Sequence, residues 1–270
     1  MTIGAVGQIK ASLQALLPRL RQHEDNAFLD GHVQRRQKEV AAAKAETASG
    51  SDAISGTYLT KVINRLAADD ALFAADDGTP LVWMLRHIDT GGKRRTFGSL
   101  LHGTMADGMP AALGLQKCQP GRQVICLAGD GGFAMLLGDL LTTVQENLPI
   151  KIAVYDNGKL GFIDIEQKAA GFVPFFTDLK NPNFGEVAKA VGLWGHQVSK
   201  AGELEDAVRT WLDQPGPALL NVKVKPMQLV TPPSPFVSPE AVVGMAVYTA
   251  KAMLRGKGRD VWEMMVDNIP

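Results

Sequence analysis

The stretch that decides the fold is Val124-Ile-Cys-Leu-Ala-Gly129-Asp130-Gly131-Gly132-Phe133. It is an apolar run that ends in glycines and one carboxylate and then continues into a helical pattern. Residues 132–155 follow, which is enough for one helix and one strand, and they lead into Asp156-Asn157-Gly158-Lys159-Leu160-Gly161. This order predicts a strand, a helix and a second strand that runs parallel to the first.

Polar side chains follow both strands of this unit. A crossover connection brings the carboxyl ends of two parallel strands to the same edge of the sheet. We therefore expect Asp130 and Asn157 to face each other at the edge where open α/β sheets bind ligands. A carboxylate and an amide oxygen suit Mg²⁺, which completes its coordination with phosphate oxygens and water. The backbone amides of Gly131 and Gly132 lie at a helix start and favour a phosphate group.

Helices and strands alternate from Ile54 onward. Strands are predicted at 71–75, 95–97, 123–127, 150–155 and 218–224. One of the helices is predicted over 132–147, with four residues in the core: Met135, Leu136, Leu140 and Leu141. Such alternation is typical of an α/β fold, in which a parallel sheet is covered by helices on both faces.

The two ends of the chain differ in composition from this alternating region. Residues 1–52 contain two helical patterns and a small-residue linker, and without strands they make a poor core of their own. Residues 226–270 begin with a proline-rich run and continue as helix. We therefore expect an N-terminal helical remnant over 1–52, the α/β domain over 53–225 and a C-terminal helical tail over 226–270.

Composition excludes several classes of protein. The chain has 270 residues, of which 46% are hydrophobic and 21% charged, and this excludes gross disorder. Lys plus Arg and Asp plus Glu both number 28, so the net charge is zero and a nucleic-acid partner is not expected. No apolar run reaches the length of a membrane-spanning helix, and no secretory signal pattern opens the chain. Two cysteines without metal-binding spacing indicate a cytoplasmic setting.

The motif resembles the cofactor motif of thiamine diphosphate enzymes, in which Gly-Asp-Gly is followed by a spacer and Asn-Asn. More closely, the chain resembles the C-terminal half of pyruvate oxidases and quinone-dependent pyruvate dehydrogenases. The supporting stretches are Asp77–Trp83, Gly98–Gly114 and Leu160–Ile163. Residues 3–30 resemble the end of that family's FAD-binding domain. The resemblance implies the thiamine diphosphate-binding fold and the cofactors thiamine diphosphate and Mg²⁺.

The resemblance also implies which residues hold the cofactor. Asp130 and Asn157 would bind Mg²⁺ through side-chain oxygens, and Lys159 would bind it through its backbone carbonyl. The residues implied for thiamine diphosphate are Gly78, Thr79, Gly103, Met105, Gly131, Gly132, Leu160 and Gly161. Within this set, Gly131, Gly132, Leu160 and Gly161 would surround the diphosphate, and Gly78 and Thr79 would close its other side.

A second group of implied roles concerns the cofactor rings and the substrate. The carbonyl of Gly103 and the amide of Met105 would hold the aminopyrimidine, and the Met105 side chain would lie between the two rings. Phe162 and Glu166, together with Ile163, would face the substrate and the flavin. Phe162 and Glu166 are therefore the expected catalytic residues.

The sequence departs from the family pattern in two respects. Asp156 stands where the family usually has its first Asn, and this adds a carboxylate near a phosphate. No residue here matches the glutamate of the family's N-terminal domain, which activates the cofactor. We therefore expect FAD only in a complete enzyme, very low activity from this chain alone, and a missing N-terminal half or partner subunit.

The main function implied is oxidative decarboxylation of pyruvate to acetate and CO₂, with electrons passing to a quinone or oxygen. One alternative is an acetohydroxyacid synthase-like enzyme or another thiamine diphosphate decarboxylase acting on a 2-oxo acid. The other alternative is an inactive fragment or assembly module. We expect a homo-oligomer located in the cytoplasm, with peripheral contact at the inner face of the membrane as in quinone-linked relatives.

Overall fold

The computed structural model describes residues 6–22, 24–45, 52–226, 228 and 238–268, with the side chains of 39–45 left out. Contacts between Cα atoms divide the chain into two units, Met1–Ala45 and Glu46–Pro270. Most of the predicted linker after Glu46 and most of the proline-rich run after Pro226 lie outside the described residues. The two predicted domain boundaries stay predictions.

The first unit is helical. Its elements are α1 (Ile9–Leu16), a 3₁₀ turn (Leu17–Arg19) and α2 (Ala27–Ala45). Pro18 lies in the turn after α1, where its missing N–H ends the regular helix as its position predicts. Every side chain described in this unit is exposed, including those of the apolar stripe of α1.

The second unit is built on a six-stranded parallel sheet. Its strands are β1 (Leu72–Ala75), β2 (Arg95–Phe97), β3 (Val124–Gly129), β4 (Lys151–Asp156), β5 (Trp194–Val198) and β6 (Ala218–Lys223). Their order is β2-β1-β3-β4-β6-β5, and every pairing is parallel. The predicted α/β class is confirmed. Five strands were predicted, whereas the edge strand β5 was not.

Helices cover both faces of the sheet. They are α3 (Gly56–Leu66), α4 (Thr79–His87), α5 (Gly108–Cys118), α6 (Asp130–Met135), α7 (Asp139–Gln145), α8 (Gly161–Ala169), α9 (Phe184–Ala190), α10 (Leu204–Leu212), α11 (Pro239–Leu254) and α12 (Gly258–Asp267). Among the residues that the structure describes, no helix is both long and apolar enough to cross a membrane.

Two apolar cores lie on opposite faces of the sheet. Successive residues of a strand point to opposite faces, so Phe73 and Ile125 pack with α3, α4 and α10. Their neighbours Ala74 and Cys126 pack with α5, α7 and α9 on the other face. The buried position of Cys126 makes it a core residue, as its place in the strand predicts. These two cores hold the strand ends in fixed positions.

The predicted single helix over 132–147 is wrong in one respect, because the structure contains two short helices there. Leu136 has φ −119° and ψ 35°, which ends α6, and α7 begins at Asp139. Of the four residues expected in the core, Leu140 is buried. The other three are exposed, because the turn between the helices changes which face meets the sheet: Met135, Leu136 and Leu141.

The start of α5 is set by the backbone that precedes it. Ala106 has φ +67°, which is incompatible with an α-helix, and α5 begins at Gly108. Met105 therefore lies in the loop that precedes the helix. This loop passes over the carboxyl end of β1, because the Asp77 N–H donates to the Thr104 carbonyl at 3.3 Å.

Candidate functional site

A cavity of about 220 Å³ opens at the carboxyl ends of β1, β3 and β4. Every residue that the sequence analysis assigned to the site lines this cavity. Five further lining residues were not assigned to the site from the sequence: Asp76, Asp77, Pro80, Gly129 and Tyr155. Asp76 and Asp77 directly follow β1, so the rule that placed Asp130 and Asn157 at the sheet edge could have found them.

The pairing of β3 with β4 brings the two polar turns together. The strands are parallel, with Gly129 opposite Tyr155, so the residues that follow them emerge at the same edge. The Gly158 N–H donates to Asp130 Oδ2 at 2.7 Å and links the two turns directly. The predicted juxtaposition of Asp130 with the turn that contains Asn157 is therefore present in the structure.

Asp130 is a buried carboxylate that contacts neutral donors. It is 2% exposed. Its Oδ1 accepts from the Gly131 N–H at 2.9 Å, and its Oδ2 also accepts from Asn181 Nδ2 at 2.7 Å. Burial raises the pKa of Asp130 to about 6 against the effect of these hydrogen bonds, and the charge of Asp156 contributes to this rise. A cation beside Asp130 would favour its ionised form.

The oxygen atoms at this edge of the sheet fit a magnesium site with few protein ligands. Within the described ranges, no cluster of three or more His, Cys, Asp or Glu side chains could hold a metal ion. Mg²⁺ does not need such a cluster, because it is commonly held by one or two carboxylates plus substrate phosphates and water. Asp130 would supply the carboxylate, and Asn157 and the Lys159 carbonyl would supply neutral oxygens.

The turn after β4 is held in shape by its own hydrogen bonds. Asn157 Oδ1 accepts from the Lys159 N–H at 2.9 Å, and Gly158 has φ +69°, a conformation that favours glycine. The Lys159 ammonium group forms ion pairs with Asp178 and Asp164. The Lys159 side chain carries no oxygen, so its backbone carbonyl is the atom of this residue that could bind a metal, as the resemblance implies.

Three glycines that line the cavity have no room for a side chain. A Cβ on Gly132 would lie 2.3 Å from Asp76 Oδ2, and one on Gly131 would lie 2.9 Å from Leu160 Cδ2. A Cβ on Gly161 would lie 3.1 Å from Asn157 Nδ2. Side chains at these positions would displace the site's own residues. The backbone of Gly131 and Gly132, called the glycine cradle, lines the cavity where the resemblance implies diphosphate binding.

The loop assigned to the aminopyrimidine lies against the same turn. Gly103 has φ +66°, and Met105 Cε lies 3.5 Å from the position that a Cβ on Gly131 would take. The Met105 side chain therefore reaches across the cavity toward the diphosphate segment. The implied position of Met105 between the two cofactor rings stays a prediction.

Helix α8 supplies the outer wall of the cavity. Phe162 is half-buried, whereas Ile163 and Glu166 are exposed. Within α8, Asp164 forms a buried ion pair with Lys168. The structure thus places the expected catalytic residues Phe162 and Glu166 at the mouth of the cavity, and their catalytic roles stay predictions.

Two polar residues at or beside the cavity were not assigned to the site from the sequence. Asp76 is 1% exposed, and its Oδ1 accepts from the Gly108 N–H at 2.7 Å. Burial raises the pKa of Asp76 to about 7. Asn181 lies in the loop before α9 and donates to Asp130 as described above. Because Asn181 is far from the motif along the chain, the sequence alone does not indicate this contact.

The family model for the C-terminal thiamine pyrophosphate-binding domain of thiamine pyrophosphate enzymes matches residues 76–222. This match covers more than half of the chain and contains the β3–β4 unit and the cavity. The chain therefore belongs to the thiamine pyrophosphate enzymes, through their C-terminal cofactor-binding domain. Thiamine pyrophosphate is another name for thiamine diphosphate.

Particular relatives narrow this assignment only in part. The chain is 30% identical to YdaP of Bacillus subtilis, described as a thiamine pyrophosphate-containing protein, over 83% of this chain and 39% of the relative. It is also 30% identical to the Escherichia coli acetolactate synthase isozyme 2 large subunit, over 83% of this chain and 41% of the relative. The chain spans about two fifths of the length of these relatives. The narrower expectation of a pyruvate oxidase stays a prediction.

A solved structure supports the same fold. The thiamine diphosphate-dependent 4-hydroxybenzoylformate decarboxylase of Rhodococcus jostii RHA1 has a TM-score of 0.60 and 25% sequence identity to this chain. The match covers 66% of this chain and 34% of that one. The expected thiamine diphosphate-binding fold is therefore confirmed.

We predict that Gly132→Ala weakens thiamine diphosphate binding in the presence of Mg²⁺ by at least about tenfold. A Cβ there would clash with Asp76 and distort the Gly131–Gly132 turn that would contact the diphosphate. Gly138→Ala is the matched control, since a Cβ at Gly138 meets no atom within 4 Å. Isothermal titration calorimetry would measure both affinities. Equal affinities for the two variants would contradict the assigned cradle.

Proposed function

We propose that this chain is the magnesium- and thiamine diphosphate-binding portion of a 2-oxo-acid decarboxylase of the acetolactate synthase-like type. The observation that carries the proposal is the position of Asp130, a buried carboxylate that contacts neutral donors and lies beside the Gly131–Gly132 cradle. A bound divalent cation would neutralise this carboxylate and the diphosphate together.

The bound cofactor would supply an electron sink for the carbanion that decarboxylation of a 2-oxo acid leaves. The residues of this chain would bind and orient it. Asp130, Asn157 and the Lys159 carbonyl would hold Mg²⁺, and the glycine cradle would admit the diphosphate. Met105 would fix the cofactor's shape from the opposite wall.

Helix α8 would restrict the space around the reacting atoms. Phe162 contributes an apolar surface at the mouth of the cavity, which would reduce the access of water to the substrate. Glu166 lies one helical turn further on the same side of α8 and is exposed to solvent. In this position it could bind a polar group of the substrate or exchange a proton with it.

The reaction itself is proposed for the assembled enzyme. The region matched here corresponds to about two fifths of the acetolactate synthases and of YdaP. Activation of the cofactor and transfer to a second substrate would need groups from the rest of such an enzyme. The expectations of bound FAD, of a partner half or subunit and of self-association stay predictions.

The nature of the product separates two candidates. Relatives named acetolactate synthases favour a carbon–carbon bond-forming outcome, in which two pyruvate molecules give acetolactate and CO₂. The stretch Leu160–Ile163 and residues 3–30, which resemble the end of an FAD-binding domain, instead favour the oxidase outcome, in which pyruvate and water give acetate and CO₂ while an acceptor takes two electrons.

We predict that this chain binds thiamine diphosphate only when Mg²⁺ is present, because Asp130 and the diphosphate are both negative. Calorimetric titration with and without EDTA would measure this requirement. Asp130→Ala should abolish the effect of Mg²⁺, whereas the control Asp139→Ala, on α7 and outside the cavity lining, should retain it. Equal binding under all of these conditions would refute the metal site.

A second prediction concerns the product formed from pyruvate by the protein as isolated from its source. Acetolactate should accumulate with Mg²⁺ and thiamine diphosphate, and its yield should not depend on an added quinone. The chemical reason is that acetolactate formation is redox-neutral, whereas acetate formation needs an electron acceptor. Acetate that forms only when the quinone is supplied would instead support the oxidase.

A further inference from the structure

One amide group joins the predicted metal ligand to a second buried carboxylate. Asn181 Nδ2 donates to Asp130 Oδ2 at 2.7 Å and to Asp156 Oδ1 at 2.9 Å. An Asn amide nitrogen carries two N–H groups, so it can serve both carboxylates at once. Asn181 therefore separates two like charges at the carboxyl ends of the neighbouring strands β3 and β4.

The second carboxylate is balanced by a positive charge. Asp156 is 2% exposed, and its Oδ2 forms an ion pair with Lys223, which lies directly opposite it in the pairing of β4 with β6. Asn221 Nδ2 is a further partner at 3.3 Å. The Lys223 side chain is 41% exposed, so the pair extends from the buried edge of the sheet to solvent.

The two carboxylates therefore have different surroundings. Asp130 contacts neutral donors and faces the cavity, whereas Asp156 contacts a lysine and does not line the cavity. Without Lys223, Asp156 would be an uncompensated buried charge separated from Asp130 by the Asn181 amide. Such a charge is strongly destabilising.

Asn181 does not cap the helix that follows it. Asn183 caps α9, because its Oδ1 accepts from the Glu186 N–H at 3.2 Å. The hydrogen bonds of the Asn181 side chain are directed at the two carboxylates instead. Its role therefore concerns the site rather than the start of α9.

We propose that Asn181, Asp156 and Lys223 form an outer support that holds Asp130 in the orientation that receives Mg²⁺, with Lys223 keeping Asp156 from acting as a competing ligand. All three are positioning residues, since none of them lines the cavity. The part of this proposal that concerns Mg²⁺ rests on the proposed function. The charge compensation between Asp156 and Lys223 can be tested without any ligand.

The first experiment measures Mg²⁺ affinity by calorimetry at saturating thiamine diphosphate. Asn181→Ala should weaken Mg²⁺ binding by about 10- to 100-fold, the usual cost of losing a hydrogen-bond partner of a metal ligand. Asn181→Ser, which keeps one donor but cannot reach both carboxylates, should weaken it in the same direction. It also serves as the test if the alanine variant does not fold.

The matched control is Asn64→Ala, because Asn64 Nδ2 also donates to a carboxylate, that of Asp89 at 2.8 Å, away from the cavity. This control should leave the Mg²⁺ dissociation constant within about twofold of that of the unchanged protein, whatever it does to thermal stability. Unchanged Mg²⁺ affinity in a folded Asn181 variant would overturn the proposed role of Asn181.

The second experiment measures thermal midpoints without Mg²⁺ or cofactor. Lys223→Gln should lower the midpoint by about 5 °C, and adding Asp156→Asn to that variant should restore most of the loss. Lys117→Gln is the matched control, since it breaks the exposed ion pair with Glu146 and should have little effect. If the fall in thermal midpoint of the double variant equalled the sum of the falls caused by Lys223→Gln and Asp156→Asn alone, the proposed charge compensation would be overturned.

The two experiments separate failure of this inference from failure of the proposed function. If the unchanged protein does not bind Mg²⁺ with thiamine diphosphate, the proposed function fails and the first experiment overturns the Mg²⁺ part of the inference with it. The thermal measurements still decide whether Asp156 and Lys223 compensate each other. If the unchanged protein binds Mg²⁺ and the Asn181 variants bind it equally well, the inference alone fails.

Discussion

The parallel pairing of β3 with β4 is the constraint on which the whole site depends. Gly129 lies opposite Tyr155, so the turns that follow the two strands leave the sheet side by side. The hydrogen bond from the Gly158 N–H to Asp130 Oδ2 then fixes one turn against the other. A shift of one residue in this register would turn every side chain of the shifted strand to the opposite face and separate the turns. The two apolar cores prevent that shift, because each strand residue is committed to one face.

Three buried carboxylates gather at this edge, and each is stabilised differently. Asp76 accepts from the Gly108 N–H and has a second oxygen with no partner among the described residues. Asp130 accepts from neutral donors, and Asp156 is paired with Lys223. Burying a carboxylate without a cation is costly. A cation that binds at Asp130 would remove part of that cost and would therefore stabilise the folded chain as it binds.

The sequence predicts the centre of this arrangement because the signal there is local. An apolar run, a turn of glycines with one carboxylate and a second apolar run define the β3–β4 unit and place Asp130 near Asn157. Strand β5 was missed because it is an edge strand in which polar residues and Gly195 break the alternation of a buried strand. Asn181 was missed because its contacts join residues that only the folded chain brings together.

Asp130 and the turn after β4 are expected to share one divalent cation that anchors a diphosphate. Mn²⁺ can replace Mg²⁺ among oxygen ligands and scatters X-rays anomalously. Crystals grown with Mn²⁺ and thiamine diphosphate should give one anomalous peak within coordination distance of Asp130, Asn157 and the Lys159 carbonyl. A peak bound elsewhere, or a diphosphate bound in the cavity with no metal beside Asp130, would contradict the claim.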